Sequence, residues 1–115
     1  MSCYFMVDTY IDKHSESGLY EEYIKEVKPI VEEYGGEYIV RSENVSHLSE
    51  KRRPDRVIVI RFPSREKLEE CFNSSKYKKI MGKRISTVDS MALIVEEDWY
   101  RIINVFSFIL FLDIL

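Results

Sequence analysis

The histidine and cysteine side chains that could do chemistry are few in this chain, and they are scattered along it. His14 and His47 are the only histidines, and neither has the H-x-x-x-H spacing or the nearby cysteine that would build a metal site. No serine lies in a G-x-S-x-G motif, and the glycine-rich loops that bind nucleotide phosphates are missing. The sequence therefore predicts no metal, no cofactor and no familiar nucleophile motif.

Three single residues could still take part in chemistry. Asp8 falls in a predicted strand, where it is either a general base, if buried, or an isolated polar residue that faces outwards. Cys3 and Cys71 each lie in an apolar pattern, which predicts two buried, unpaired thiols in a reducing compartment and hence a cytoplasmic protein. Glu69 and Glu70 beside Cys71 oppose the lowered pKa that a nucleophilic thiol requires.

The overall composition is that of one acidic, folded domain. The chain has 115 residues, of which 45% are hydrophobic, and a formal net charge of −3 at pH 7, which allows one core and argues against nucleic-acid binding. The first residues lead directly into a strand, so no signal peptide is expected. The one basic cluster is interleaved with acidic residues, which favours a solvated loop over a phosphate or polyanion site; it comprises Lys51, Arg52, Arg53 and Arg56.

The elements that must position any site alternate in the order β-α-β-β-α-β. Apolar and β-branched residues predict strands over residues 3–11, 37–43, 56–62 and 91–95. Helical spacing predicts one helix after Ser17 as N-cap and another after Ser64, followed by a further turn over residues 76–81 that Gly82 ends. Pro29 should kink the first helix without breaking it, and Gly35 should end it in the left-handed conformation.

The first strand carries apolar side chains on both faces. Cys3, Phe5 and Val7 alternate with Tyr4 and Met6, so both sides of the strand need a cover. The chain has helices enough for one face only. The other face of the sheet therefore needs a partner.

The chain divides into a core domain over residues 1–96 and an apolar tail over residues 97–115. Acidic residues before the apolar run favour a helix there, either buried or docked on a partner. A higher oligomer could form through Trp99, Phe106 and the following residues as far as Leu112. A membrane anchor is disfavoured, because the run is about half the roughly 20 residues that span a bilayer and has no basic polar face.

Several motifs within residues 3–95 match those of one family of small proteins. Residues 20–36 read Y-x-x-Y-x-x-x-V-K-P-x-V-x-x-Y-G-G, residues 56–64 read R-V-I-V-I-R-F-P-S, and residues 72–77 read F-x-S-x-x-Y. Through these stretches the chain resembles the domain-of-unknown-function family numbered thirteen-thirty, within the dimeric α+β-barrel superfamily. It departs from the family pattern at Ser42, Glu43 and residues 89–91.

The resemblance implies an α+β, ferredoxin-like fold with a four-stranded antiparallel sheet, and a homodimer formed through the open sheet face. It also implies a cleft between the sheet and its helices, near which we expect the ligand-binding residues Tyr23, Arg41, Phe62 and Arg84. Two guanidinium groups in an apolar cleft would suit a carboxylate or an enolate. The alternative interpretation makes Arg41 and Arg84 surface partners of glutamates, and Tyr23 a core aromatic residue.

Two functions of different classes follow. The first is a cofactor-independent enzyme or binder that acts on a small anionic or aromatic metabolite. The second is a non-catalytic dimeric interaction module that uses the apolar tail. The wider superfamily includes monooxygenases without metal or flavin, isomerases and haem enzymes, so the fold alone does not choose between the two.

Overall fold

The computed structural model describes residues 1–11 and 18–98, which form one sheet and three helices. In chain order these are β1 (Cys3–Ile11), α1 (Gly18–Glu33), β2 (Glu37–Ser42), β3 (Arg56–Phe62), α2 (Arg65–Asn73), α3 (Ser75–Ile85) and β4 (Val88–Glu96). This is the predicted α+β architecture. His14, the predicted cap Ser17 and the proposed tail helix lie outside the described residues.

The sheet is antiparallel throughout, with the strand order β2-β3-β1-β4. β1 lies in the centre, where Thr9 is opposite Arg56 on one side and Ser90 on the other. Because side chains alternate along each strand, residues opposite one another share a face of the sheet. The pairing therefore fixes which side chains face the helices and which face away from them.

The three helices cover one face of this sheet and bury its apolar side chains. α1 and α3 lie antiparallel, since Lys76 at the start of α3 pairs with Glu33 and Lys83 near its end pairs with Glu26. The buried core lies between these helices and the sheet; it comprises Cys3, Val7, Tyr20, Tyr23, Ile24, Val27, Ile30, Val31, Ile58, Ile60, Phe62, Leu68, Cys71, Tyr77 and Val88.

The opposite face of the sheet carries an apolar row that crosses all four strands. Val40, Val59, Met6 and Leu93 are opposite one another in turn, and Leu93 is 61% exposed. Nothing in the described residues covers Leu93. The expectation that the fold leaves one apolar sheet face uncovered is therefore confirmed.

α1 runs without a break through Pro29, which lies on its exposed side. The helix ends as predicted at Gly35, whose φ is +82°. The amide of Gly36 donates to the carbonyl of Val31 (2.9 Å), and that of Gly35 donates to Glu32 (3.0 Å), which together form a Schellman motif. A glycine is required because this conformation is strained for other residues.

The second half of the chain differs from prediction at two boundaries. Ser64 caps α2 as expected, accepting a hydrogen bond from the amide of Lys67. The prediction that Gly82 ends the last helix is wrong. α3 continues to Ile85, because a glycine inside a helix costs only about 1 kcal/mol and Lys83 is held by α1. β4 begins at Val88, three residues earlier than predicted, because β1 offers pairing partners as far as Ile11.

The loop between β2 and β3 is fastened to the end of β1. The amide of Asp55 donates to the carbonyl of Thr9 (2.9 Å), and its carboxylate accepts from the amide of Ile11 (2.7 Å). These contacts hold the basic segment of the loop against the sheet.

Among the described helices, none has the length and apolar character needed to cross a membrane.

Candidate ligand-binding site

A cavity of about 480 Å³ lies between the helix-facing side of the sheet and the three helices. Pockets of roughly 300–1,000 Å³ hold small ligands in other proteins. Most of its wall is apolar, and both the sheet and the three helices contribute to it; these wall residues include Phe5, Val7, Ile24, Val27, Val31, Ile58, Ile60, Leu68, Phe72, Met81, Ala92 and Ile94. The cleft expected between the sheet and its helices is present.

Two tyrosines and one arginine form a polar group in the wall on the helix side. The hydroxyl oxygens of Tyr23 on α1 and Tyr77 on α3 are 3.1 Å apart, and both side chains are buried. Burial and the neighbouring Tyr77 raise the pKa of Tyr23 well above its usual value, so its hydroxyl stays protonated. Burial opposes the charge of Arg84, but both tyrosine hydroxyls favour it, and the pKa of Arg84 is raised.

Arg41 brings a second guanidinium group to the cavity from β2. It is opposite Ile58 in the sheet and therefore faces the helices, as Tyr38 does opposite Ile60. Burial raises the pKa of Tyr38 to about 12, although the charge of Arg41 works in the other direction. The hydroxyl of Tyr38 and the guanidinium group of Arg41 are therefore both hydrogen-bond donors at neutral pH.

The charges of the wall leave it positive. Among the described residues, no glutamate forms an ion pair with Arg41 or Arg84, which favours the cleft over the alternative interpretation of surface ion pairs. The one carboxylate in the wall, that of Glu69, is held by Arg65 at 2.8 Å. Two guanidinium groups that no described carboxylate pairs with, in a largely apolar cavity, favour an anionic ligand.

The structure brings together three of the four residues chosen from the sequence. Tyr23, Arg41 and Arg84 line the cavity. Phe62 is completely buried in the core, where its ring packs edge to face on that of Phe72, with the ring centres 6.0 Å apart. It lies beside the cavity and not in its wall.

Four further polar residues line the cavity without having been predicted as site residues: Tyr77, Tyr38, Thr9 and Ser90. The alternation of β1 was a usable signal for Thr9, which shares a face with Phe5 and Val7. Nothing in the local sequence points to Ser90, because its strand was predicted to begin after it. Tyr77 is buried in the core, and its hydroxyl contact with Tyr23 depends on helix packing.

Arg56 lies next to the cavity, at the start of β3. Its guanidinium carbon is 5.4 Å from the centre of the Tyr20 ring, and one of its nitrogens is paired with Glu43. Burial opposes its charge, but Glu43 and Tyr20 favour it, and the pKa of Arg56 is raised. Another arginine of the basic cluster, Arg52, forms an ion pair with Asp8 at 2.7 Å.

The other candidate residues lie away from the cavity. Asp8 is buried on the opposite face of the sheet, where Arg52 holds both of its oxygens. Cys3 and Cys71 are buried and unpaired, and burial raises the pKa of Cys71 to about 11. His47 contacts the carbonyl of Pro54 at 2.7 Å. In the part of the chain that the structure describes, no acidic, histidine or cysteine side chains cluster as a metal site would require.

Comparison with known proteins supports the fold and one family. The model of a family named DUF1330, a domain of unknown function, matches residues 2–98. No curated protein matches the chain. Among solved structures, a protein of unknown function from Rhodopseudomonas palustris is similar, with 17% identity, a TM-score of 0.70, and coverage of 84% of this chain and 82% of the other.

Two further solved structures have the same fold at lower identity. SnoaB from Streptomyces nogalater, a cofactor-independent oxygenase, is 7% identical with a TM-score of 0.60, over 84% of this chain and 93% of SnoaB. A dimeric ferredoxin-like protein of unknown function from Thermobifida fusca is 7% identical with a TM-score of 0.56, over 84% of this chain and 92% of that protein. At these identities the likeness shows the ferredoxin-like fold alone.

Proposed function

This chain belongs to the DUF1330 family, and we propose that its cavity binds a small anionic or aromatic metabolite. The protein would act either as a binding protein or as a cofactor-independent enzyme. One observation carries the proposal: Arg84 is partly buried in the cavity wall, beside the hydroxyls of Tyr23 and Tyr77, and none of the described carboxylates pairs with it. A cation that is partly withdrawn from water and has no anion is stabilised when a ligand supplies one.

The proposed ligand places its negative group against Arg84. The guanidinium can donate two parallel hydrogen bonds to a carboxylate, and a tyrosine hydroxyl can donate a third. The remainder of the ligand packs on the apolar wall formed by residues such as Val27, Ile58 and Ile94. Arg41 provides a second positive charge at the β2 side of the same cavity.

The same donors would suit a reaction that passes through an enolate or a phenolate. Hydrogen bonds aimed at an oxygen on which negative charge develops lower the energy of that charged state. They also lower the pKa of a bound enol or phenol, which favours loss of its proton. The fold shared with SnoaB, a cofactor-independent oxygenase, is consistent with such chemistry but does not choose between catalysis and binding.

Isothermal titration calorimetry with benzoate, phenylacetate and the neutral analogue benzamide tests the proposal. We expect at least one acid to bind, benzamide to bind at least about tenfold more weakly, and Arg84→Gln to weaken acid binding by about tenfold or more, since a hydrogen bond to a charged group contributes roughly 1.5–3 kcal/mol. Lys79→Gln is the matched control, because Lys79 is an exposed cation on the same helix. Equal affinities of wild type and Arg84→Gln for the acids, or no binding by any acid, would contradict the proposal.

We also propose that two copies of the chain pair through the open sheet face. Support comes from the apolar row of Val40, Val59, Met6 and Leu93, which crosses that face while Val40 and Leu93 stay 41% and 61% exposed. Exposed apolar surface of this kind is typical of an interface. The similar protein from Thermobifida fusca is a dimer.

The alternative function, an interaction module that acts through the apolar tail, stays a prediction. Residues 99–115 lie outside the described part of the chain, and so do the contacts proposed for Trp99 and Phe106. We likewise propose that the chain divides into a core domain over residues 1–96 and a tail over residues 97–115. A cytoplasmic location is likewise a proposal, supported by the buried, unpaired thiols of Cys3 and Cys71.

A further inference from the structure

Three polar side chains lie side by side across the sheet where β1 approaches its end. Arg56 on β3 is opposite Thr9 on β1, and Thr9 is opposite Ser90 on β4. Thr9 and Ser90 line the cavity, and the Arg56 guanidinium stacks on the ring of Tyr20, which also lines it. We refer to Arg56, Thr9 and Ser90 as the polar row.

Two groups of the polar row are buried without a hydrogen-bond partner. Nη1 of Arg56 and Oγ of Ser90 are both shielded from solvent, and neither meets a donor or acceptor among the described residues. Arg56 is only 8% exposed, and Glu43 accepts a hydrogen bond from a different nitrogen of its guanidinium group. Buried polar groups without partners are rare in native proteins, because each has lost its hydrogen bonds to water without forming one within the protein.

The polar row is separate from the group that the proposed function assigns to the anionic end of the ligand. Arg84 and the two tyrosines belong to the helices, whereas the polar row belongs to the sheet. The cavity therefore has polar groups on its helix wall and, through Thr9 and Ser90, on its sheet wall, with Arg56 beside the latter and an apolar surface formed by residues such as Val7 and Ile24. A ligand with a single polar end would leave one of the two sets unsatisfied.

We propose that the polar row binds a second oxygen atom of the ligand, an inference that rests on the proposed function and narrows its ligand class. An arginine nitrogen can only donate, so the atom that meets Nη1 must be an acceptor, such as a carbonyl, hydroxyl or phenol oxygen. The Ser90 hydroxyl can donate to the same atom or accept from a hydroxyl proton. The ligand class is thus a hydroxy or oxo acid with an apolar frame between its two polar ends.

Titration calorimetry on the full chain tests this inference with matched pairs of acids. Benzoate is compared with its three monohydroxylated isomers, and phenylacetate with 4-hydroxyphenylacetate. We expect at least one hydroxylated acid to bind about tenfold or more tightly than its parent, since a site built around a polar group discriminates against an analogue that lacks it. Ser90→Ala should remove that gain, so that the hydroxylated acid and its parent bind within about twofold of each other.

Two further variants keep the test independent of folding defects. Arg56→Lys retains the positive charge but not the position of Nη1, and should also reduce the gain; its circular dichroism and thermal melt show whether it folds. Ser46→Ala is the control, because Ser46 is exposed in the loop between β2 and β3 and should leave every affinity unchanged.

The outcomes separate this inference from the proposed function. If acids bind in an Arg84-dependent way but no hydroxylated acid gains affinity, the inference is wrong and the proposed function stands. The same holds if the gain survives in both Ser90→Ala and Arg56→Lys. If none of the acids binds, both are wrong.

Discussion

The hydroxyl oxygens of Tyr23 and Tyr77 meet at 3.1 Å, although 54 positions separate the two residues along the chain. Their rings lie edge to face with centres 6.3 Å apart. The contact joins α1 to α3 across the wall of the cavity and places two hydroxyl groups beside Arg84. It thus contributes to the packing of the helices and to the polar part of the site at once.

Removal of either hydroxyl should destabilise the fold, because the remaining one is left buried without its tyrosine partner. We expect Tyr23→Phe and Tyr77→Phe each to lower the free energy of unfolding by about 1 kcal/mol. The double variant should lose less than the sum of the two by at least about 0.5 kcal/mol. Urea denaturation of the four proteins measures this coupling.

Tyr34 supplies the control for that cycle. It is partly buried just after α1, and the described residues give its hydroxyl no hydrogen bond. Tyr34→Phe should change the stability by less than about 0.5 kcal/mol. Strictly additive losses for Tyr23 and Tyr77 would mean that the hydroxyl contact contributes nothing to stability.

The proposed dimer predicts that a charge in the apolar row separates the subunits. We expect Leu93→Lys to halve the mass measured by light scattering at micromolar concentration, because the lysine would have to be buried without an anion. Ile85→Lys is the matched control, since Ile85 is 57% exposed and lies on α3, outside that face. A wild-type chain with the mass of one copy, or a Leu93→Lys variant that keeps the mass of two, would rule out this interface.

Two glycines should respond in opposite directions to alanine. Gly35 has a φ of +82°, and a Cβ there would lie 2.8 Å from Cγ of Pro63, so Gly35→Ala should destabilise the protein by about 1–3 kcal/mol. Gly82 lies inside α3, and a Cβ there would meet no neighbouring atom within 4 Å, so Gly82→Ala should stabilise the protein by roughly 0.5–1 kcal/mol. Thermal and urea unfolding of both variants measures the difference, and a destabilised Gly82→Ala would contradict the helical assignment at that position.

The buried thiol of Cys71 should make stability depend on alkaline pH. Burial, with a smaller contribution from Glu33, raises its pKa from 9.0 to about 11. The unfolded chain therefore ionises first, and the native state should lose roughly 2 kcal/mol of stability as the pH rises from about 9 to about 11. Cys71→Ala should lack this part of the decline, and parallel stability curves for the two proteins across that pH range would refute the prediction.

The strands that could be predicted most accurately are those with strong local patterns. β1 and β3 were predicted at Cys3–Ile11 and Arg56–Phe62, where apolar and β-branched residues continue for the whole strand. The end of α3 could not be found in this way, because Gly82 is a weak local stop that the ion pair between Lys83 and Glu26 overrides. The early start of β4 likewise depends on its pairing with β1 and not on its own residues.

The site could be predicted in part. Arg84 and Tyr23 were chosen on the strength of a family resemblance, and the structure places both in the cavity wall. Phe62 was chosen on the same ground but fills the core, because its side of β3 packs against Phe72. Ser90 could not have been chosen, since its role depends on its position opposite Thr9 in the sheet.

The order of the elements and the apolar character of both sheet faces can be read from the sequence, because side-chain alternation and helix caps are local properties of the chain. Which polar groups meet depends on the tertiary structure. The contact of Tyr23 with Tyr77, the pairing of Asp8 with Arg52 and the polar row each join residues that are distant in the chain. Strand register and helix packing fix such contacts, and neither can be read from a local pattern.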